Sequence, residues 1–192
     1  MRHVVGAGVV VILSWSSCLT AAEPVSGPKV GEKAGGFEVL AATGDRAGKT
    51  LDYLAALDKK PVLLIFVRDK DKTRPAYGFL RVLDQYGQLR QPEGLEVLIV
   101  RVAADQEAAV KYSQLLNEKL NIKSTAVVST AGASGPQEYA LNEDAEMTVL
   151  LLDKEHKVVS NTARRAPERQ DFAEVRTAID KLLGPSPVPF DG

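Results

Sequence analysis

The stretch VLLIFVRDKDKTRPAYGF, Val62 to Phe79, decides the fold. Val62 to Val67 is an unbroken apolar run, the pattern of a strand buried on both faces. Charged residues follow at once: Arg68, Asp69, Lys70, Asp71 and Lys72. Thr73 can then cap a helix and Pro75 suits its first turn. Ala76, Phe79, Leu80, Leu83 and Tyr86 recur at helical spacing, which predicts a helix from Thr73 to Leu89. Strand, short loop and helix form the first half of a βαβ unit. The loop between them is where α/β proteins commonly hold chemistry, yet here it contains no thiol, histidine or serine.

Working outward, Leu95 to Ala103 (LEVLIVRVA) reads as a second buried strand. The pair is therefore parallel with a right-handed crossover. Asp105 caps a helix whose inner face carries Ala109, Tyr112, Leu116 and Leu120, and Ala126 to Val128 is a short strand. Ser129 to Pro136 is a small-residue loop. Thr148 to Leu152 and Lys157 to Ser160 form a hairpin turning at Asp153–His156, and Pro167 opens a last helix that Gly184-Pro185 ends. Upstream, Phe37 to Ala42 is a short strand, and Lys49 to Leu57 is a short helix or coil. The hairpin adds antiparallel strands to the parallel pair. The expected architecture is an α/β sandwich, a mixed central sheet with helices on both faces.

The 192 residues suffice for one domain with a real core. The expected division is a signal peptide over 1–22, a mobile lead-in over 23–33, the domain over 34–184 and a flexible tail over 185–192. Met1-Arg2-His3 is a basic n-region, Val4 to Leu13 an apolar h-region, and Thr20-Ala21-Ala22 offers small residues for cleavage. That apolar run is too short to span a bilayer, which takes roughly 20 residues. The protein is thus expected to be exported, periplasmic or secreted. The sole cysteine, Cys18, lies within this segment. A lipid anchor there is the lesser alternative, because Trp15 stands where a lipobox wants leucine. On plain export the mature chain has no cysteine, hence no disulfide, thiolate nucleophile or zinc–thiolate site.

A net charge of −1 gives no sign of nucleic-acid binding or of a polybasic membrane anchor. Asp69 and Asp71 with Asp84 or Asp105 could form a carboxylate cluster, but Arg68, Lys70, Lys72 and Arg74 interleave with the acids, which favours a solvated charged loop over a metal site. His156, the mature chain's one histidine, reads as an exposed turn residue. Gly132 to Pro136 lacks the Gly-Lys-Ser/Thr of a phosphate loop. Arg164, Arg165 and Arg169 lie near Glu168, Asp171 and Glu174, a surface ion-pair face. Ser113, Ser129 and Ser134 lack a nucleophile elbow. No metal or cofactor is called for.

The order of elements, with these residues, resembles the thioredoxin-like superfamily and within it the redoxin, or AhpC/TSA peroxiredoxin-like, branch. The likeness rests on Val30-Gly31 leading to Phe37, on Lys60 to Phe66, and on the hairpin from Thr148 to Val158. The resemblance implies a thiol oxidoreductase whose reactive cysteines follow the strand ending at Phe66, and a cis-proline before the late strand. Asp71 and Arg74 fall near the two cysteine positions, and Met147 near the proline. Neither Asp nor Arg can attack a disulfide or peroxide, and a non-proline at 147 is expected to be trans. The reading is a redox-inactive member, a binding or structural module for another exported protein or peptide. Its contact surface is expected to be Arg68, Asp69, Lys70, Lys72 and Thr73, with the loops at 129–136 and 144–147. The alternative is an oxidoreductase that takes its thiol from elsewhere.

Overall fold

The computed structural model describes residues 22–57, 59–68 and 74–191. The signal-like segment before Ala22 and positions 69–73 lie outside the described residues. A seven-stranded mixed sheet runs in the order β2-β1-β5-β4-β3-β6-β7. The strands are β1 (Glu38–Ala41), β2 (Thr50–Asp52), β3 (Val62–Arg68), β4 (Glu96–Val102), β5 (Thr125–Ser129), β6 (Met147–Leu152) and β7 (Val158–Arg164). The helices are α1 (Tyr53–Ala56), α2 (Arg74–Arg90), α3 (Gln106–Leu120) and α4 (Phe172–Leu183). β3, β4 and β5 are parallel neighbours, while β6 runs antiparallel to β3 and β7 antiparallel to β6.

Alternation along the strands separates two cores. Leu63, Ile65 and Val67 of β3 pack with Phe79, Leu83, Tyr86, Leu116, Val175 and Ile179, so α2, α3 and α4 share one face. Both parallel crossovers run in the same direction across the sheet, and a common hand places their helices on a common side. Val62, Leu64 and Phe66 face the other way, onto Phe37, Val39, Leu54 and Tyr139. That second face is covered by the one-turn α1, a 3-10 turn at Gln137–Tyr139 and the chain before β1.

Four sequence expectations change. Lys49 to Leu57 divides into β2 and α1, with Asp52 capping the helix at Ala55 N. β7 runs on to Arg164, well past Ser160. The lead-in is a docked strap: Ser26 is buried and bonds the Thr148 hydroxyl at 2.6 Å, and Asn161 Nδ2 donates to the carbonyls of Ser26 and Pro28. Gly27 lies over Thr148 and Leu150 at a φ of 82°, where a side chain would be strained and crowded. The tail expected to be flexible turns back, and Phe190 packs on Tyr86 and Phe172 with ring centroids 5.1 and 5.6 Å away.

Candidate functional site at the carboxyl end of β3

The site begins where β3 delivers Arg68. Val67 sits between Arg101 of β4 and Met147 of β6 in register, so these three residues mark the end of the sheet. Arg68 N donates to Glu146 O, and Glu146 N donates to Arg164 O, which carries the ladder across to β7. Arg74 opens α2 and is exposed. The positional equivalent Asp71 and the proposed contact residues Asp69, Lys70, Lys72 and Thr73 lie outside the described residues.

Arg68 corrects the sequence reading. It is not part of a solvated surface but is buried, at 8% exposure. Its guanidinium donates from Nε to Asn142 O (3.0 Å), from Nη1 to Ala133 O (2.6 Å) and from Nη2 to Leu141 O (2.9 Å). Burial pushes its pKa down, while the nearby Glu143 carboxylate opposes that shift. Arginine suits this task because its rigid planar fork can satisfy several carbonyls at once. Met147, also given a place near the contact surface, is buried at 1% exposure. No peptide bond among the described residues is cis, the one before Met147 included.

The loop at 129–136 is built around that arginine. Its 3-10 turn, Gly132–Ser134, presents Ala133 O to Arg68. Gly135 has a φ of 73°, and a Cβ there would come within 2.8 Å of Leu141 Cδ1, so this turn requires glycine. Asn142 ties the other side: its backbone N donates to Ser26 Oγ and its Nδ2 to Val25 O. The strap, the loop and the end of β3 are therefore one hydrogen-bonded assembly.

On the helix face of the same end lies a polar cluster that sequence reasoning missed. Arg101 is buried, donates from Nε to Ser113 Oγ at 3.1 Å, and stacks over the Tyr112 ring at 4.5 Å. The Tyr77 and Tyr112 hydroxyls lie 2.6 Å apart. Burial, then the bond to Tyr112, pushes the Tyr77 phenol up to about 12. The signal was present in the sequence as a lone arginine inside the apolar run of β4.

The remaining sequence candidates separate. Asp84 is buried and accepts from Ser124 N (2.8 Å), Ser124 Oγ (2.6 Å) and Lys123 N (3.1 Å), bracing the turn into β5. Asp105 caps α3 through Ala108 N at 3.0 Å. The structure does not bring these two acids together, and no cluster of three His, Cys, Asp or Glu side chains suited to a metal occurs among the described residues. His156 is not fully exposed as expected. It takes the left-handed turn position (φ 58°), and its Nε2 is buried with no hydrogen-bond partner among the described residues. Arg164 is paired with Asp171 and Glu174, and Arg165 with Asp144. Ser113 donates to Ala109 O within its own helix.

No protein-family model matches the chain, and no curated protein sequence matches it. Solved structures do. The reduced 2-Cys peroxiredoxin of Plasmodium vivax superposes with a TM-score of 0.60 at 22% identity, covering 80% of this chain and 82% of that one. A thiol:disulfide interchange protein from a Bacteroides species gives 0.60 at 15% identity, over 83% and 93%. A DsbF homologue from Corynebacterium diphtheriae gives 0.58 at 17% identity, over 88% and 99%. The chain has the thioredoxin-like fold, with structural neighbours in both the disulfide-interchange and the peroxiredoxin groups. Its single cysteine, Cys18, lies far from the end of β3 in sequence.

Proposed function

We propose that this is an exported, redox-inactive thioredoxin-fold protein that serves as a binding or structural module. The observation that carries the reading is chemical. Thiol–disulfide exchange and peroxide reduction need a sulfur nucleophile, and no sulfur nucleophile follows β3 anywhere from Arg68 to Gly192. Arg68 supports it, because that side chain holds neighbouring backbone in place and offers nothing to a substrate. Export is supported by the basic, apolar and small-residue pattern before Glu23. The proposed contact surface is Asp69–Thr73 with the exposed Arg74, flanked by the loop at 129–136 and by Asp144. Arg68 and Met147 are withdrawn from it.

The neighbours named as an interchange protein and a peroxiredoxin favour a second reading, an oxidoreductase using a thiol from elsewhere. The exported protein's intact mass and thiol titre separate the two. A mature chain starting at Glu23 with no titratable thiol supports the binding module. Retained Cys18, acylated or free, contradicts plain export, and a free thiol keeps the oxidoreductase reading alive. For the surface, the double charge reversal Asp71→Lys with Arg74→Glu is expected to abolish capture of the module's exported partner. Unchanged capture shows that the surface lies elsewhere.

A further inference from the structure

The sheet ends at β7, and a groove of about 620 Å³ runs along that edge between α4 and the strap. Its apolar lining comes from Val30, Val159, Ala178 and Leu182, with Lys157 and Lys181 beside them. Val30 and Val159 are 64% and 36% exposed, unusual for their type in this molecule. The backbone of β7 is tied to the strap at its start, where Val158 N donates to Glu32 O and Gly31 N to Val158 O. It is tied again just beyond its end, where Arg165 N donates to Glu23 Oε2. Between these fastenings, residues 159–163 make no backbone hydrogen bond outside the β6 ladder among the described residues.

Charge decides what could lie there. Lys33 and Lys157 are directly opposed across an isolated antiparallel bridge. Like charges so placed repel. Neither lysine, nor Lys181, is paired with a carboxylate among the described residues. The acid within the groove, Glu174, is already engaged by Arg164 and the Thr162 hydroxyl. Lysines and the bulge at Val159 also shield an edge strand from indiscriminate pairing. Those same features favour one chemistry: carboxylates complement the Lys157 and Lys181 ammonium groups of the groove, and small aliphatic side chains fill the apolar strip.

We infer that the β7–α4 groove is a docking site for an extended, acidic segment of a partner protein carrying alternating aliphatic and carboxylate side chains. The site lies at the end of the sheet opposite Arg68 and stands independently of the contact surface proposed above. It does not depend on whether that surface, or any thiol, is functional.

The test uses the exported protein and a fluorescein-labelled peptide alternating valine and glutamate, with a valine–lysine peptide as control. The expected result is saturable binding of the acidic peptide that weakens with salt, with amide shifts at Val30, Gly31 and residues 158–163. Lys157→Glu with Lys181→Glu should weaken it by about tenfold, two exposed charge pairs being converted to repulsion. Unchanged circular dichroism and Tm would show that the variant is folded, and the single Val159→Lys variant provides a second loss of binding from the apolar strip. Binding that survives both variants, equal binding of the lysine peptide, or shifts confined to 129–136 overturns the site. Sedimentation showing a dimer that Val159→Lys dissolves would assign the groove to a second copy instead, and would overturn the partner proposed here.

Discussion

Two buried arginines, Arg90 at the carboxyl end of α2 and Arg68 at the carboxyl end of β3, are held in different ways. Arg90, at the helix's carboxyl end, is fully buried and meets charge: Glu93 at 2.7 Å, Asp180 at 2.5 Å, with Tyr86 and the Gly184 carbonyl completing the set. Arg68, just before the helix, donates to three neutral carbonyls of the loop between β5 and β6. The Arg90 cluster clamps α2 to α4; burial alone would lower the guanidinium pKa, but the Glu93 carboxylate and the Tyr86 hydroxyl raise it above the ordinary arginine range. At Arg68 burial shifts the guanidinium the other way, and the nearby Glu143 carboxylate offsets only part of that shift. One end of the helix is fastened by ion pairs between elements. The end of β3 is fastened instead by an internal strut to the loop between β5 and β6.

The comparison can be broken by substitution. The largest loss is expected for Arg68→Ala, which strands three carbonyls. Each bond from this charged donor contributes about 1.5–3 kcal/mol, and access of water to the partly exposed loop brings the sum to about 3–4 kcal/mol. Urea unfolding measures it, and Arg68→Lys should recover less than half, because an ammonium cannot reproduce the fork. A loss below about 1 kcal/mol would contradict the strut. Arg90→Ala should cost less, about 2–3 kcal/mol. Glu93 and Asp180 are each more than a quarter exposed and can rehydrate. If Arg90→Ala proves the more damaging, the ranking of the two ends is reversed.

Between the arginines, Gly87 brings α2 against β4. A Cβ there would lie 2.2 Å from Val97 Cγ2, so Gly87→Ala should destabilise by about 1–2 kcal/mol despite alanine's better helix propensity. A neutral or stabilising result would mean that Val97 can turn aside. The smallest effect is one of pH. Tyr77 keeps its proton longer in the folded state than a free phenol, so the native state binds more protons above pH 10. Stability should therefore fall as pH rises from 10 towards 12, and Tyr77→Phe should flatten that slope in denaturation measured across the window.

The parts of this molecule that were legible in the sequence are those in which local pattern and tertiary fate agree. The apolar runs of β3, β4 and β6 are buried because nothing else can be done with them, and α2, α3 and α4 followed from helical spacing, with Asp105 capping α3 as expected and α4 beginning at Phe172, five residues after Pro167. The end of β3 was not legible in the same way. Arg68 opens a run of charges and so looks solvated, but the three carbonyls it bonds lie 65 to 74 residues away, and backbone carbonyls carry no side-chain signature. The strap failed for a related reason. Pro-Gly-Lys composition suggests mobility, while Asn142, Thr148 and Asn161 hold it from distant elements. The lack of any cysteine after Cys18, by contrast, is read from the sequence and needed no fold.

The central proposal is that this protein performs no thiol redox chemistry. It is tested most directly by assaying the exported protein and its Cys18→Ser variant for disulfide reduction and peroxide turnover, each with an external reductant supplied. The account predicts turnover indistinguishable from buffer for both proteins. Turnover by the unaltered protein that Cys18→Ser abolishes would contradict it.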